Sequence, residues 1–335
     1  MKLLTVVVPA YQVQDTLSQT LDSLLVPQVL PYLEVLVVDD GSTDHTQEIA
    51  RRYEGRYPGI FFCLHKENGG HGSTINLGLS RATGKYLKVL DGDDWFRGEG
   101  LLHLVAYLQK ADQDVVLTPY ETYHVQTGEQ TTYAFPQVQY HRTYRVPEDP
   151  IVNERFALTT VCYRTAFLRS LSLTIQEHTF YVDEEFIGIP LLHVNTWVYL
   201  PDVLYVYRMG SSGQSVAIAN RLKRLDHIQR VIQRLMEELA KCAPDHAHRT
   251  PMVDRLYRLA TGYALLTLIY LPERKRGRAL FQEMEQRIRQ EKDLYGRCRK
   301  KFTLFRLLHS LGVGQRQYQW LQQRKGLQKY RQAQV

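Results

Sequence analysis

Short runs of β-branched and apolar residues recur through the first third of the chain, at Thr5 to Val8, Glu34 to Val38, Tyr86 to Leu90 and Asp114 to Leu117. Between them, apolar residues return at helical spacing over Asp15 to Leu25, Thr43 to Tyr53 and Gly72 to Ala82. Strands alternating with helices predict an α/β, Rossmann-like domain: a mostly parallel sheet with flanking helices on both faces. In such sheets ligands bind beyond the carboxyl ends of the strands. Three of the predicted strands end in Pro9-Ala10-Tyr11, in Asp39-Asp40-Gly41-Ser42 and in Asp91-Gly92-Asp93-Asp94. Aromatic and carboxylate groups are thus delivered to one edge, which predicts a binding cleft there.

The densest of these ends is Val89 to Trp95, VLDGDDW. Asp91, Asp93 and Asp94 repel one another by roughly a kcal/mol or more per pair in a partly solvated site, so a cation or a cluster of donors is expected nearby. A divalent metal is the simplest compensation. Hard oxygen ligands select Mg²⁺ or Mn²⁺, and Mg²⁺ takes one or two carboxylates and completes its shell with phosphate and water. The competing reading is an aspartate-rich turn that caps a helix beginning near Gly98. Tyr11 can stack on a nucleobase or sit at the rim of the core. Asp39 and Asp40 can accept hydrogen bonds from a base and from ribose hydroxyls; alternatively Asp40, or Ser42 and Asp44, cap the following helix. Asn68-Gly69-Gly70-His71-Gly72 is a loop whose backbone amides allow close approach, and from it His71 can reach a phosphate. It is not a dinucleotide fingerprint, because Ile75 stands where a GxGxxG pattern begun at Gly70 needs glycine.

Tyr120 to Tyr144 is rich in Thr, Tyr and Gln and contains Thr127-Gly128, which predicts an antiparallel hairpin at the sheet edge. Asp183, Glu184 and Glu185 open a helix that Pro190 bends or ends; acidic residues there also suit the helix dipole. Tyr207 to Ser215 reads as a polar loop, either closing over a diphosphate through Arg208 and its serines or lying as plain surface. From Asn220 the pattern is helical, over Leu222 to Ala240, Pro251 to Tyr270, Arg278 to Tyr295 and Phe302 to Leu311, divided by Pro244, Pro251 and Pro272.

Composition narrows the class. Of 335 residues 44% are hydrophobic and 23% charged, as in ordinary soluble globular proteins. Cys63, Cys162, Cys242 and Cys298 are scattered without a CxxC pair and read as reduced thiols. MKLLTVVVPAY reaches Pro9 too early for a secretory signal, and no run nears the roughly 18 apolar residues of a membrane span. A cytoplasmic location is expected, with peripheral contact at the inner face of the membrane as an extension of it. The net charge of +7 is uneven: Glu273 to Val335 holds 17 Lys/Arg against 5 Asp/Glu. Such basic helices, with Phe302, Leu304, Phe305, Leu307, Leu308 and Trp320 interleaved, suit an anionic membrane, a homodimer contact or solvated faces. Nucleic-acid binding by this region is the less favoured reading.

VVVPAY, VVDDGSTD, NGGHGSTIN and LDGDDW, in this order and spacing, resemble the nucleotide-binding half of the family-two inverting glycosyltransferases of GT-A fold. The resemblance covers Leu3 to Thr118 and rests on four motifs together. It implies that residues 1–118 are the nucleotide-sugar-binding half, 119–219 the acceptor-side half and 220–335 a basic helical extension. It further implies that Pro9 and Tyr11 line the base pocket, with Asp40 on the base and Asp39 close by. Asn68, Gly70 and His71 would face the donor, Asp91 would hold the ribose or the sugar, and Asp93 would ligate the metal. Asp183 matches the family's catalytic base, with Glu184 as the fallback. Ile75 departs from the pattern, since many relatives carry arginine there, and Lys66 or Arg208 would have to supply the missing cation. The Gln-x-x-Arg-Trp motif of processive synthases is absent, Gln317-Tyr318-Gln319-Trp320 lacking the arginine. The expected activity is therefore inverting transfer of one sugar per encounter. Its donor would be a nucleotide diphosphate sugar, most readily a UDP-sugar, and its acceptor a glycan or lipid-linked hydroxyl in surface-polysaccharide synthesis. A sugar nucleotidyltransferase or a catalytically inactive nucleotide-sugar-binding protein are the competing readings.

Overall fold

The β-branched run near the start of the chain is strand β1 (Leu4–Ala10), and all seven of its residues are buried. In the computed structural model the described residues are 1–210 and 217–324. They divide into two compact units, Met1–Ser211 and Ser212–Val335.

In the first unit β1 pairs in parallel with β2 (Leu33–Asp39) and β4 (Tyr86–Val89), so that Ala10 lies level with Asp39. Outside β2 runs β3 (Phe61–His65), also parallel. The sequence pattern did not predict β3, because a partly exposed edge strand of five residues has no alternation to read; its pairing with β2 makes it a strand. After β5 (Trp95–Phe96) and β6 (Val115–Leu117) come the hairpin strands β7 (Tyr120–His124) and β8 (Gln130–Tyr133). Next are β9 (Thr143–Arg145), β10 (Val161–Arg164), β11 (Thr196–Tyr199) and β12 (Tyr205–Met209). One sheet has the order β3-β2-β1-β4-β10-β6-β11-β9, with β10 antiparallel to its neighbours β4 and β6. Residues from both sides of position 118 thus share it.

The hairpin forms as expected, with Gly128 in its turn at φ +71°, but it belongs to a second sheet of order β5-β12-β7-β8. Tyr207 and Arg208, expected in a loop, lie instead on β12, which pairs with β5 on one side and β7 on the other. The remainder of that predicted loop, Ser211 to Ser215, lies outside the described residues.

The helices of this unit are α1 (Leu17–Asp22), α2 (Thr46–Arg56), α3 (His71–Arg81), α4 (Gly98–Leu108), α5 (Thr165–Ser170) and α6 (Asp183–Leu191). Asp183 does open α6, and Pro190 stands in its last turn, one residue before the helix ends at Leu191. Helix α3 lies directly on β1: a Cβ on Gly78 would sit 2.4 Å from Val7 Cγ1. At the end away from the aspartates, buried Glu34 accepts from Thr5 Oγ1 (2.6 Å), Thr83 N (2.7 Å) and Thr83 Oγ1 (2.7 Å), tying β1, β2 and the approach to β4 together.

The second unit is helical: α7 (Ile218–Lys223), α8 (Leu225–Ala240), α9 (Arg249–Leu265), α10 (Arg274–Ile288), α11 (Lys292–Ser310) and α12 (Gln315–Arg324). Pro251 sits in the first turn of α9, where a missing N–H leaves no bond unmade, and so divides nothing. The helix expected over Arg278 to Tyr295 is broken after Ile288, and Phe302 belongs to a longer helix than predicted. The chain turns back there so that Phe281 and Phe302 pack edge to face at 5.1 Å, a tertiary demand with no glycine or proline to announce it. Among the described residues no helix is long and apolar enough to cross a membrane.

Gly78→Ala should push α3 off β1 and lower the unfolding free energy in urea by about 1–3 kcal/mol. Gly55→Ala, on the exposed side of α2 with nothing within 4 Å of the added carbon, should be neutral or stabilising by up to about 1 kcal/mol.

Candidate active site

The carboxyl ends of β2, β1 and β4 lie side by side, and each contributes to one site. At the end of β2 the fully buried Asp39 pairs through Oδ2 with His65 Nδ1 (2.7 Å) and accepts from the Ser42 N–H (3.0 Å). Asp40, also buried, accepts from Lys66 Nζ and Gly69 N (both 2.9 Å) at Oδ1 and from Gly70 N (2.7 Å) at Oδ2. Its carbonyl takes the Asn68 side-chain amide at 3.0 Å. Both carboxylates are therefore engaged by the chain's own donors, and Asp40 shapes the glycine loop, in which Gly70 takes φ +82° to open α3. Asp44 is the residue that closes the start of α2, accepting from the Thr46 N–H at 3.0 Å. Pro9 is buried in β1, while the Tyr11 ring beyond it is 52% exposed and free to be stacked upon.

At the end of β4 the three aspartates separate into different roles. Asp94 is buried and accepts from Tyr205 Oη (2.6 Å) and from the Arg208 N–H (2.7 Å). Tyr205 Oη in turn accepts from the Asp91 N–H (3.2 Å). Arg208 Nε donates to the Asp93 carbonyl (2.7 Å), another of its N–H groups reaches Gln19, and its guanidinium lies 5.0 Å from the Trp95 ring centre. Asp94, Tyr205 and Gln19 thus build the site's frame; the sequence pattern counted Asp94 only within the acidic cluster and singled out neither Tyr205 nor Gln19. Asp91 Oδ1 lies 2.9 Å from His71 Nε2. The Asp93 carboxylate takes no side-chain hydrogen bond or ion pair among the described residues.

These contacts set the electrostatics. Burial and then the Asp91 charge push the Asp93 carboxyl up to about 6, with Arg208 and His71 opposing. Burial, then Asp93 and Asp91, raise Asp94 well above the usual carboxylate range. Burial alone would discharge His71, but Asp91, Asp183 and Asp93 outweigh it and raise its pKa. Tyr207 is raised by burial and by the same carboxylates, Asp183 among them. Asp183 therefore shares the field of the aspartate cluster, although it lies 90 residues further along the chain.

What brings it there is a set of close contacts between α3 and residues 175–178. Asn76 grips the Ile175 backbone in both directions, donating to its carbonyl (2.9 Å) and accepting from its N–H (2.8 Å). The Gly69 carbonyl accepts from the His178 N–H (2.5 Å), and a Cβ on Gly72 would meet the Gln176 carbonyl oxygen at 2.2 Å. Glu185, the third acid of α6, is buried and accepts from Gln176 N (3.0 Å) and Nε2 (2.6 Å). It anchors the helix, leaving Asp183 and Glu184, both partly exposed, at its first turn. His178 and Tyr181 hold φ of +50° and +66°, strained values for side-chain-bearing residues. Of the candidates for the cation missing at Ile75, Lys66 is committed to Asp40, Ser73 Oγ (2.9 Å) and the Glu67 carbonyl, and Arg208 to the frame. His71 faces the carboxylates, and Asp91, Asp183 and Asp93 raise its pKa against the effect of burial.

The residues fit a small divalent ion. Asp91 and Asp93 present hard oxygens from one turn, and burial with mutual repulsion destabilises the ionised Asp93, which a cation would relieve. Among the described residues no group of three or more His, Cys, Asp or Glu forms a cage. An ion here would draw the rest of its shell from phosphate and water.

An α/β sheet of this topology with acidic strand ends is a fold of GT-A type. The Staphylococcus aureus TarS structure in complex with UDP-GlcNAc superposes with a TM-score of 0.62 at 20% identity, covering 93% of each chain. The Pyrobaculum calidifontis mannosyltransferase PcManGT, in complex with GDP-Man and Mn²⁺, gives 0.55 at 16% identity over 92% of this chain and 86% of that one. Residues 5–175, more than half of the chain, match the family model for glycosyl transferase family 2, and the protein belongs to that family. Among named relatives, the uncharacterized glycosyltransferase EpsJ of Bacillus subtilis (strain 168) is 32% identical over 146 residues, which is 44% of this chain and 41% of EpsJ. The poly(ribitol-phosphate) β-N-acetylglucosaminyltransferase TarS of S. aureus (strain Mu50) is 28% identical over 221 residues, 64% of this chain and 37% of TarS. The matches thus span about two fifths of the length of these relatives.

Because Asp93 is held near 6 instead of 3.8, folding disfavours its ionisation, and the stability lost in this way grows as pH rises from 3.8 through 6. Asp93→Asn should therefore raise the unfolding free energy by about 1–3 kcal/mol at pH 8, with the gain fading below about pH 4, as read from urea titrations across that range.

Proposed function

We propose that the protein is an inverting glycosyltransferase. It moves a sugar from a nucleotide diphosphate sugar, a UDP-sugar foremost, to an acceptor hydroxyl, one sugar per encounter, in cell-surface glycan or polysaccharide synthesis. The observation that carries this reading is the convergence of Asp183 with Asp91, Asp93 and His71 beyond the ends of the parallel strands. Membership of the family supports it. So do the TarS complexes with UDP-GlcNAc and with UDP, while PcManGT with GDP-Man and Mn²⁺ supports a divalent ion and keeps a GDP-sugar as the runner-up donor.

In this reading residues 1–118 bind the donor and 119–219 shape the acceptor side. Tyr11 and Pro9 flank the base, and the Asp40-held loop from Asn68 to Gly70 turns its backbone to the nucleotide. Asp91 orients the ribose or the sugar while holding His71 as an imidazolium whose N–H faces the diphosphate. Asp93 would hold a Mg²⁺ or Mn²⁺ ion, whose Lewis acidity would neutralise charge on the departing diphosphate, a contribution on the order of several kcal/mol. Asp183 takes the proton from the acceptor hydroxyl as its oxygen bonds to the anomeric carbon from the face opposite the leaving group. The bond from that carbon to the phosphate oxygen breaks, and the configuration inverts. Glu184 is the alternative base from the same turn. A sugar nucleotidyltransferase would carry a basic, glycine-rich loop after β1, where this chain has Pro9-Ala10-Tyr11.

Asp183→Asn should lower turnover by about 10²–10⁴-fold while leaving donor affinity within about twofold. Turnover equal to wild type would remove Asp183 from the role of base, and an unmutated chain that binds donor but turns nothing over would favour the inactive binding protein. In calorimetry with UDP, GDP, CDP and dTDP, one diphosphate should bind more tightly with Mn²⁺ than without. Asp93→Ala should abolish that increment, and absence of metal-dependent binding for all four would reject the clamp.

A further inference from the structure

Helix α11 has two long faces of opposite character. Leu294, Cys298, Phe302, Phe305 and His309 are buried against the second unit. Lys300, Leu304, Leu307 and Leu311 are spaced by four, three and four residues, which aligns them along the other side of the helix. Leu304 is 48% exposed, Leu307 56% and Leu311, at the helix end, 70%. One exposed leucine is ordinary; a row of three on one helix face marks a contact surface.

The charge around this row is mostly positive. From Lys292 to Ser310 the helix carries six Lys/Arg and a single acid, Asp293. Arg297 pairs with Asp254 and Arg306 with Glu285 (3.2 Å), whereas Arg299 and Lys300 are exposed and have no ion pair among the described residues. We propose that this face of α11 docks on an anionic phospholipid bilayer, lying in the plane of the surface. The leucines enter the headgroup boundary, while Lys300 in line with them and Arg299 beside them extend to lipid phosphates.

The alternatives fit the same residues less well. A second copy meeting this face about a two-fold axis would bring the Lys300 and Arg299 charges together in a drying contact, with no acid within one turn of either on α11 to pair. A nucleic acid would satisfy the cations and leave the leucines without a partner.

The test is cosedimentation of the full chain with vesicles of mixed phosphatidylglycerol and phosphatidylcholine, against phosphatidylcholine alone. Binding is expected only to the anionic vesicles and should weaken with salt. It should fall by about tenfold or more both in Leu304→Ser/Leu307→Ser/Leu311→Ser and in Arg299→Ser/Lys300→Ser. Because all five side chains are exposed, unchanged circular dichroism and melting temperature are expected and separate loss of docking from loss of fold. The proposal is overturned if the chain ignores anionic vesicles or if the leucine variant binds them as well as wild type. It is overturned equally if sedimentation without lipid finds a dimer that the leucine variant dissociates.

Discussion

Negative charge crowded at the carboxyl end of β4 is the constraint to which the surrounding structure answers. Three aspartates within four residues would splay apart in water, yet here they are held together in partial burial. Asp94 is secured by a tyrosine hydroxyl and a backbone amide from β12. Asp91 is paired with His71 from the start of α3. Asp93 is left with its carboxylate unpaired among the described side chains and its pKa displaced upward. A carboxylate whose ionisation is disfavoured by burial and by a like charge is one that a nearby cation would relieve.

The second constraint is steric. Asp183 joins the cluster because residues 175–178 press against α3, and that contact exists only where α3 has no side chain in the way. Gly72 admits the Gln176 carbonyl, and Asn76 holds the Ile175 backbone as a neighbouring strand would. Glu185 then ties the start of α6 to the same segment, so the three consecutive acids of α6 divide into one anchor and two that remain at the site. The strained backbone at His178 and Tyr181 lies in the connection that has to make this fit.

The departure at Ile75 follows the same logic. Ile75 is buried, so an apolar side chain completes the packing of α3, and four residues back His71 faces the aspartates, three carboxylates raising its pKa against burial. Lys66, the other nearby cation, is spent on fixing the glycine loop to Asp40.

The alternation of apolar strands with amphipathic helices was enough to define an α/β sheet, and the polar residues at three strand ends were enough to mark the edge where its carboxylates gather. Both are properties of short windows of chain, where periodicity and local charge density act before any long-range contact is made. The family motifs were legible for the same reason, each being a contiguous turn. The edge strand β3, the placement of Arg208 on β12 and the break after Ile288 were not legible, since each depends on a partner distant in sequence. Nor could the sequence separate Asp39 and Asp40, engaged and buried, from Asp93, whose carboxylate takes no hydrogen bond or ion pair from another side chain among the described residues. All three are aspartates at a strand end, and only the tertiary arrangement of donors around them decides which carboxylates are engaged.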